Sequence, residues 1–254
     1  MGNTKIEWCD KVWNPVTGCR KVSRGCENCY AESIANRFWG DRKFTDVIIH
    51  SNRFNQPLSW KKPSRIFVNS MSDLFHDDVS DEIIFSIFKI MKAAHWHTFM
   101  VLTKRPKRMC KIVARIRSCF PDRLDHIWLG VSVEDQKTAD DRIPLLVITP
   151  ARYRFVSAEP LLGPVDFKEM WGVGYNQSYP GIRLKFVDQV IVGGESGPKA
   201  RPMQVEWVRS IRDQCRVANV AFFMKQGSQA NWPKYKDFDL FPEDLQIREY
   251  PNEG

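Results

Sequence analysis

Apolar positions recur along this chain in two alternating rhythms. Short, nearly continuous apolar runs read as strands at residues 65–70, 98–103, 126–133, 153–158, 189–192 and 220–224. Between them apolar residues return every three or four positions, which predicts helices over 31–37, 81–94, 106–117, 135–147 and 205–219. In 81–94 the inward face is Ile83, Ile84, Ile87, Phe88 and Met91, and in 106–117 it is Met109, Ile112, Val113 and Ile116. Val205, Val208, Ile211 and Cys215 form the equivalent stripe of the last helix. One more strand ahead of Cys19 gives six or seven βα units. Apolar strands alternating with helices imply an α/β fold with a parallel sheet covered by helices. That many units in one chain suggests a parallel (β/α) partial TIM-type barrel forming a single domain over 1–254, with a doubly wound open sheet as the alternative.

Composition narrows the class. A chain of 254 residues that is 43% apolar can bury a full core. No stretch approaches the roughly 18 apolar residues of a membrane span, and the polar start lacks the apolar core of a secretory signal. Ile6 occupies the position where a myristoylation signal needs Ser or Thr. Seven cysteines, an odd number, suit a reducing compartment in which thiols serve metal or core. A cytoplasmic protein without a membrane partner is expected.

The net charge of +8 is concentrated. Residues 37–65 carry Arg37, Arg42, Lys43, Arg53, Lys61, Lys62 and Arg65, interleaved with Phe38, Trp39, Phe44, Phe54 and Trp60. Cations neutralise phosphates and aromatic rings stack on bases, so this insertion is a candidate rim for DNA, RNA or a nucleotide. A second cluster, Lys104, Arg105, Lys107, Arg108, Lys111, Arg115 and Arg117, admits the same reading or a solvated helix face.

Chemistry concentrates in the loop 14–31, where Cys19, Cys26 and Cys29 stand with gaps of six and two residues. Three thiolates hold three irons of a 4Fe-4S cluster and leave the fourth open, whereas a structural zinc site closes with four ligands. Cys9 is available as a fourth thiolate, which keeps open a zinc-stapled, basic nucleic-acid binder without catalysis. In parallel barrels the reactive groups gather at the carboxyl ends of the strands. Here those ends hold Ser70, Ser72 and Asp73; Lys104; Ser132; Glu159; and Gly193, Gly194 and Glu195, which together suggest one pocket.

The run from Asn14-Pro15 through Gly18-Cys19 to Cys29-Tyr30-Ala31 resembles the cluster loop of radical S-adenosylmethionine enzymes near spore photoproduct lyase. The whole chain is similar to a phage- and prophage-encoded family of unknown function related to those enzymes. The likeness is carried by Trp13-Asn14-Pro15, Leu102-Thr103-Lys104-Arg105-Pro106, Ser157-Ala158-Glu159-Pro160-Leu161, Gly193-Gly194-Glu195-Ser196-Gly197 and Phe222-Phe223-Met224-Lys225-Gln226. The resemblance implies a 4Fe-4S cluster on Cys19, Cys26 and Cys29, with the open iron binding S-adenosylmethionine. One electron, from a donor such as flavodoxin or ferredoxin, then yields a 5′-deoxyadenosyl radical that takes hydrogen from substrate. It also implies that Lys104 pairs with the methionine carboxylate, that Ser70, Ser72 and Asp73 take its amine, and that Ser132 bonds the ribose or carboxylate. Gly193 and Gly194 would admit close backbone approach, Glu159 and Glu195 would bind hydroxyls or a base edge, and Cys9 would donate a hydrogen atom. The long connection 161–186, rich in aromatics and glycine, is expected to form a lid or binding loop.

Overall fold

The structure, a computed structural model, describes residues 4–120, 124–167, 186–232 and 234–251. In chain order its strands and α-helices are β1 (Lys11–Trp13), β2 (Val16–Thr17), α1 (Tyr30–Phe38), β3 (Ile48–Ile49), α2 (Gln56–Ser59), β4 (Arg65–Val68), α3 (Asp81–Ala93) and β5 (Thr98–Thr103). They continue with α4 (Pro106–Cys119), β6 (Ile127–Val133), α5 (Gln136–Ile148), β7 (Arg154–Ala158), β8 (Gln189–Gly193), α6 (Val205–Ala218) and β9 (Ala221–Gln226). Seven parallel strands form one sheet in the order β1-β4-β5-β6-β7-β8-β9, the α/β class expected of a partial barrel. Strand β6 is buried at every position, which is why its sequence shows no polar alternation. Contacts divide the chain, read from sequence as one domain, into two compact units whose boundary falls within β6.

The first unit comprises Met1–Gly130 and Ile148–Tyr153. Trp13 aligns with Val68, and Val68 with Val101, so β1, β4 and β5 end nearly in step. Helix α4 buries Met109, Ile112, Val113 and Ile116, and α3 buries Ile84, Ile87, Phe88 and Met91. Each such side chain contributes about 1.5–3 kcal/mol on leaving water. The stretch 37–65 contains α2 and the strand β3, which pairs antiparallel with β2.

Gly18 stands where this pair leads into the cysteine loop, at a φ of +98°. A Cβ there would lie 2.2 Å from the carbonyl oxygen of Asp46. Gly18→Ala is therefore expected to destabilise by about 1–3 kcal/mol through overpacking, with a further ~1–2 kcal/mol from the backbone conformation. Chemical denaturation of the purified variant checks this, and unchanged stability would refute it.

The second unit comprises Val131–Val147 and Arg154–Gly254. Its strands β7, β8 and β9 are in parallel register, and α6 buries Val208, Ile211, Gln214 and Cys215. Residues 247–249 cover the outer edge of β9. Met224 donates to the Ile247 carbonyl at 2.8 Å, Glu249 donates to the Phe222 carbonyl at 3.0 Å, and Phe223 bridges antiparallel to Arg248. Exposed edge strands invite pairing with other chains, and this segment occupies that edge. Of the proposed lid, residues 161–167 are held by bonds such as Phe167 N–H to Gln214 Oε1 at 2.8 Å, while 168–185 lie outside the described residues. Among the described residues no helix is long and apolar enough to cross a membrane.

Candidate metal and cofactor site

The loop 14–31 is stitched to the residues that follow β4. The Asn14 carboxamide donates to Ser70 Oγ at 3.1 Å and accepts from the Met71 amide at 3.0 Å. Gly18 donates to the Met71 carbonyl at 3.0 Å, Ser72 Oγ to the Val16 carbonyl at 2.9 Å, and Tyr30 OH to the Ser70 carbonyl at 2.7 Å. The cysteine loop is thus fixed at the carboxyl end of β1 and β4.

The three thiols share one electrostatic neighbourhood. Cys19 and Cys29 pack on the small cluster Ala31, Ala35 and Phe44, and the charge of Cys26 acts on both. Burial, then Asp73, pushes the Cys19 thiol up to about 11, while Arg105 pulls it down. Burial also raises Cys29, opposed first by the backbone N–H groups of Glu32 and Ala31 at the start of α1 and also by Lys104. Helix N–H groups and nearby cations stabilise thiolates, so Arg105 at Cys19 and the α1 amides and Lys104 at Cys29 partly offset the burial and negative charge that raise both thiols.

Among the described residues no group of three or more His, Cys, Asp or Glu is already converged for a metal ion. The donor set still fits an iron–sulfur cluster, because one loop holds three thiols, with Cys26 acting on both Cys19 and Cys29, and Arg105 and Lys104 offset thiolate charge there. Binding would complete their convergence, as metal binding commonly does.

Cys9 is not brought to this loop. It precedes β1, with its Sγ 3.9 Å from the Ile6 carbonyl oxygen, while the next residue donates its backbone N–H to the Arg65 carbonyl at 2.9 Å. It therefore sits at the amino ends of β1 and β4, whereas the loop sits at their carboxyl ends. Neither a fourth thiolate nor a hydrogen donor from Cys9 finds support in that placement.

The groups expected to take an amine are already engaged. Ser70 exchanges hydrogen bonds with Asn14, and Ser72 holds β2. Asp73, buried, accepts from Thr103 Oγ1 at 2.8 and 2.9 Å, from the amides of Phe75 and Lys104, and from Arg105 at 3.0 Å. Four donors fill the roughly four lone-pair sites of a carboxylate.

Two residues that the sequence reading passed over stand out instead. Arg105 reaches Cys19 Sγ at 3.7 Å. Asn69, at the end of β4 with a φ of +61°, is 2% exposed and has neither carboxamide atom hydrogen-bonded. Arg105 was hidden within a basic run, and its one signal was its place directly after the β5 strand end. Asn69 had only its place beside Ser70.

In the second unit, Ser132 is buried near the end of β6, and its carbonyl accepts from Arg142 at 2.7 Å. Glu159 forms an ion pair with Lys225. A Cβ on Gly193 would lie 3.1 Å from Glu159 Cδ, and one on Gly194 would lie 2.4 Å from the Ser228 nitrogen. The close approaches these glycines permit are therefore to Glu159 and to the chain at Ser228. Glu195 is buried and held by Arg201, with contacts of 2.6, 2.9 and 3.0 Å.

Residues 3–239 match the family described as protein of unknown function DUF5131. The chain belongs to that family. A search of curated proteins gives no match. Two solved structures share the fold. Spore photoproduct lyase complexed with dinucleoside spore photoproduct is 11% identical, with a TM-score of 0.52 over 85% of this chain and 75% of that one. A cysteine-to-alanine variant of spore photoproduct lyase is 12% identical, with a TM-score of 0.51 over the same shares.

Many of the basic residues of this DUF5131 chain are engaged internally. Arg42 donates to the carbonyls of Thr17 and Asp46 and covers the Trp39 ring at 3.9 Å, and Arg53 donates to the Asn14 carbonyl at 3.3 Å. Trp60 precedes β4 and packs near Lys11 and His97, with its carbonyl bound by Trp96 at 2.8 Å. Trp39 and Trp60 are thus half-buried, each with a cation of the same chain over its ring. Arg37, Lys43 and Phe38 remain exposed, with Phe38 at 69%. In the second cluster, Arg108 bonds the carbonyls of His76 and Val79 and pairs with Asp81, which Arg115 also contacts at 2.5 Å. These two residues of the basic face of α4 serve as helix ties.

Proposed function

We propose that this protein is a radical S-adenosylmethionine enzyme acting on a nucleic acid or nucleotide. The observation that carries the reading is the gathering of Cys19, Cys26 and Cys29 in one loop whose surroundings include Lys104 and Arg105 from the end of β5. The shared fold with spore photoproduct lyase supports it. Cys19, Cys26 and Cys29 would hold a 4Fe-4S cluster. When bound, that cluster supplies the electron that cleaves S-adenosylmethionine and so generates a hydrogen-abstracting radical.

The chain's own residues bind and orient. Lys104, close enough to Cys29 to lower its pKa, offers an ammonium for the methionine carboxylate. The Asn69 carboxamide offers an acceptor for the amine, which the saturated Asp73 lacks. The decisive experiment is anaerobic reconstitution followed by assay for methionine and 5′-deoxyadenosine. Stoichiometric zinc in place of iron, or a loaded cluster that neither binds nor cleaves the cofactor, would overturn the reading.

The polymer partner rests on the exposed group Arg37, Phe38 and Lys43. Replacing both cations by Gln is expected to reduce the slope of log affinity against log salt by up to about 1.8, following ~0.9 per neutralised phosphate on duplex DNA. Phe38→Ala is expected to weaken single-stranded more than duplex binding, because stacking needs an unpaired base. Titrations with single-stranded DNA, duplex DNA and RNA at several salt concentrations check both. Salt-independent binding, or none, would leave a small nucleotide as substrate.

A further inference from the structure

Arg105 is held in place from three directions. Its guanidinium meets Asp73 Oδ2 at 3.0 Å and donates to the Arg20 carbonyl at 3.0 Å, while its backbone N–H donates to Thr103 Oγ1 at 2.8 Å. Thr103 in turn holds the Asp73 carboxylate through its hydroxyl. Both charged side chains are nearly out of solvent, at 11% for Arg105 and 8% for Asp73. These contacts aim one edge of the guanidinium, through Nη1, at Cys19 Sγ 3.7 Å away. An ion pair alone needs only Asp73. The fixed geometry directs a permanent charge and an N–H donor at one of the three sulfurs assigned to the cluster.

We propose that Arg105 tunes the reduction potential of that cluster, with Thr103 and Asp73 as its positioning residues. The inference rests on the cluster reading above. One electron passes from an external low-potential reductant to the cluster, with no bond made or broken. The reduced form carries one more negative charge, so a cation and a donor on Cys19 Sγ stabilise it more than the oxidised form. Hydrogen bonds to cluster sulfurs and local charge are established determinants of such potentials, and partial burial strengthens both.

The test is a mediated redox titration of reconstituted protein, followed by electron paramagnetic resonance, with iron measured on the same samples. Arg105→Gln is expected to keep its iron and to disfavour reduction about tenfold, a shift of ~59 mV to more negative potential for one electron. Arg105→Lys, which keeps the charge but loses the planar fork, is expected to shift in the same direction by less. A loaded Arg105→Gln protein with an unchanged midpoint would overturn the inference and leave the cluster reading intact. A wild-type protein that holds no iron would overturn both. If Arg105→Gln does not assemble a cluster, Thr103→Val takes its place, because it loosens Asp73 and the Arg105 backbone without removing a charge. A negative shift there supports the inference, and an unchanged midpoint overturns it.

Discussion

Anaerobically reconstituted wild-type protein is expected to hold about four irons per chain, and Cys26→Ala to hold almost none. The reason lies in ligand count. Two thiolates leave two irons of a cubane without protein ligands, one more than the three-cysteine site leaves. Cys9 is not a replacement for the third, because it lies at the opposite end of β1. Cys9→Ala should therefore retain full iron, and this separates the three-cysteine site from a four-thiolate zinc site in one experiment. The Cys19 thiol, pushed up to about 11, must lose its proton on loading. Apoprotein is accordingly expected to load more readily as pH rises from neutral toward that value. Iron and sulfide analysis across a pH series checks both statements, and an iron content independent of Cys26 would refute the assignment.

The parts of the molecule legible in the sequence are those fixed by local periodicity. The stripe Met109, Ile112, Val113 and Ile116 is buried as read, because a helix over a sheet has one way to hide four apolar side chains at that spacing. Strand β6 reads as a nearly continuous apolar run, with Ser132 its one polar side chain, because both its faces are covered.

Side-chain partnerships across distant segments were not legible. Asp73 looks like an open carboxylate at a strand end until Thr103, thirty residues on, is seen to occupy it. Gly193-Gly194-Glu195 looks like a ligand-binding run. Its glycines instead make room for Glu159 and for the chain at Ser228, and its glutamate is matched by Arg201. Arg42 over Trp39 shows the same limit, since an alternating basic and aromatic run has one appearance whether its residues face a base or each other. Spacing identifies which residues share an element. It does not identify which polar groups have already spent their hydrogen bonds.

Asn69 and Lys104 yield the second large effect, on cofactor binding. Lys104→Ala is expected to weaken S-adenosylmethionine binding by roughly 10–100-fold, the loss of a charge-assisted bond of about 1.5–3 kcal/mol, with the iron retained. Asn69→Gly removes the carboxamide while suiting the positive φ of 61°. A buried amide with no partner costs roughly 1–3 kcal/mol, so its removal is expected to leave stability unchanged or raised. The same substitution should weaken cofactor binding by about tenfold, since an acceptor for the amine is lost. A residue serving only the fold would show the reverse, with lower stability and intact binding. Calorimetric titration of both variants, with denaturation of the apoproteins beside it, distinguishes these outcomes. Undiminished affinity in Asn69→Gly would remove that residue from the site, and undiminished affinity in Lys104→Ala would remove the carboxylate contact on which the proposed cofactor geometry depends.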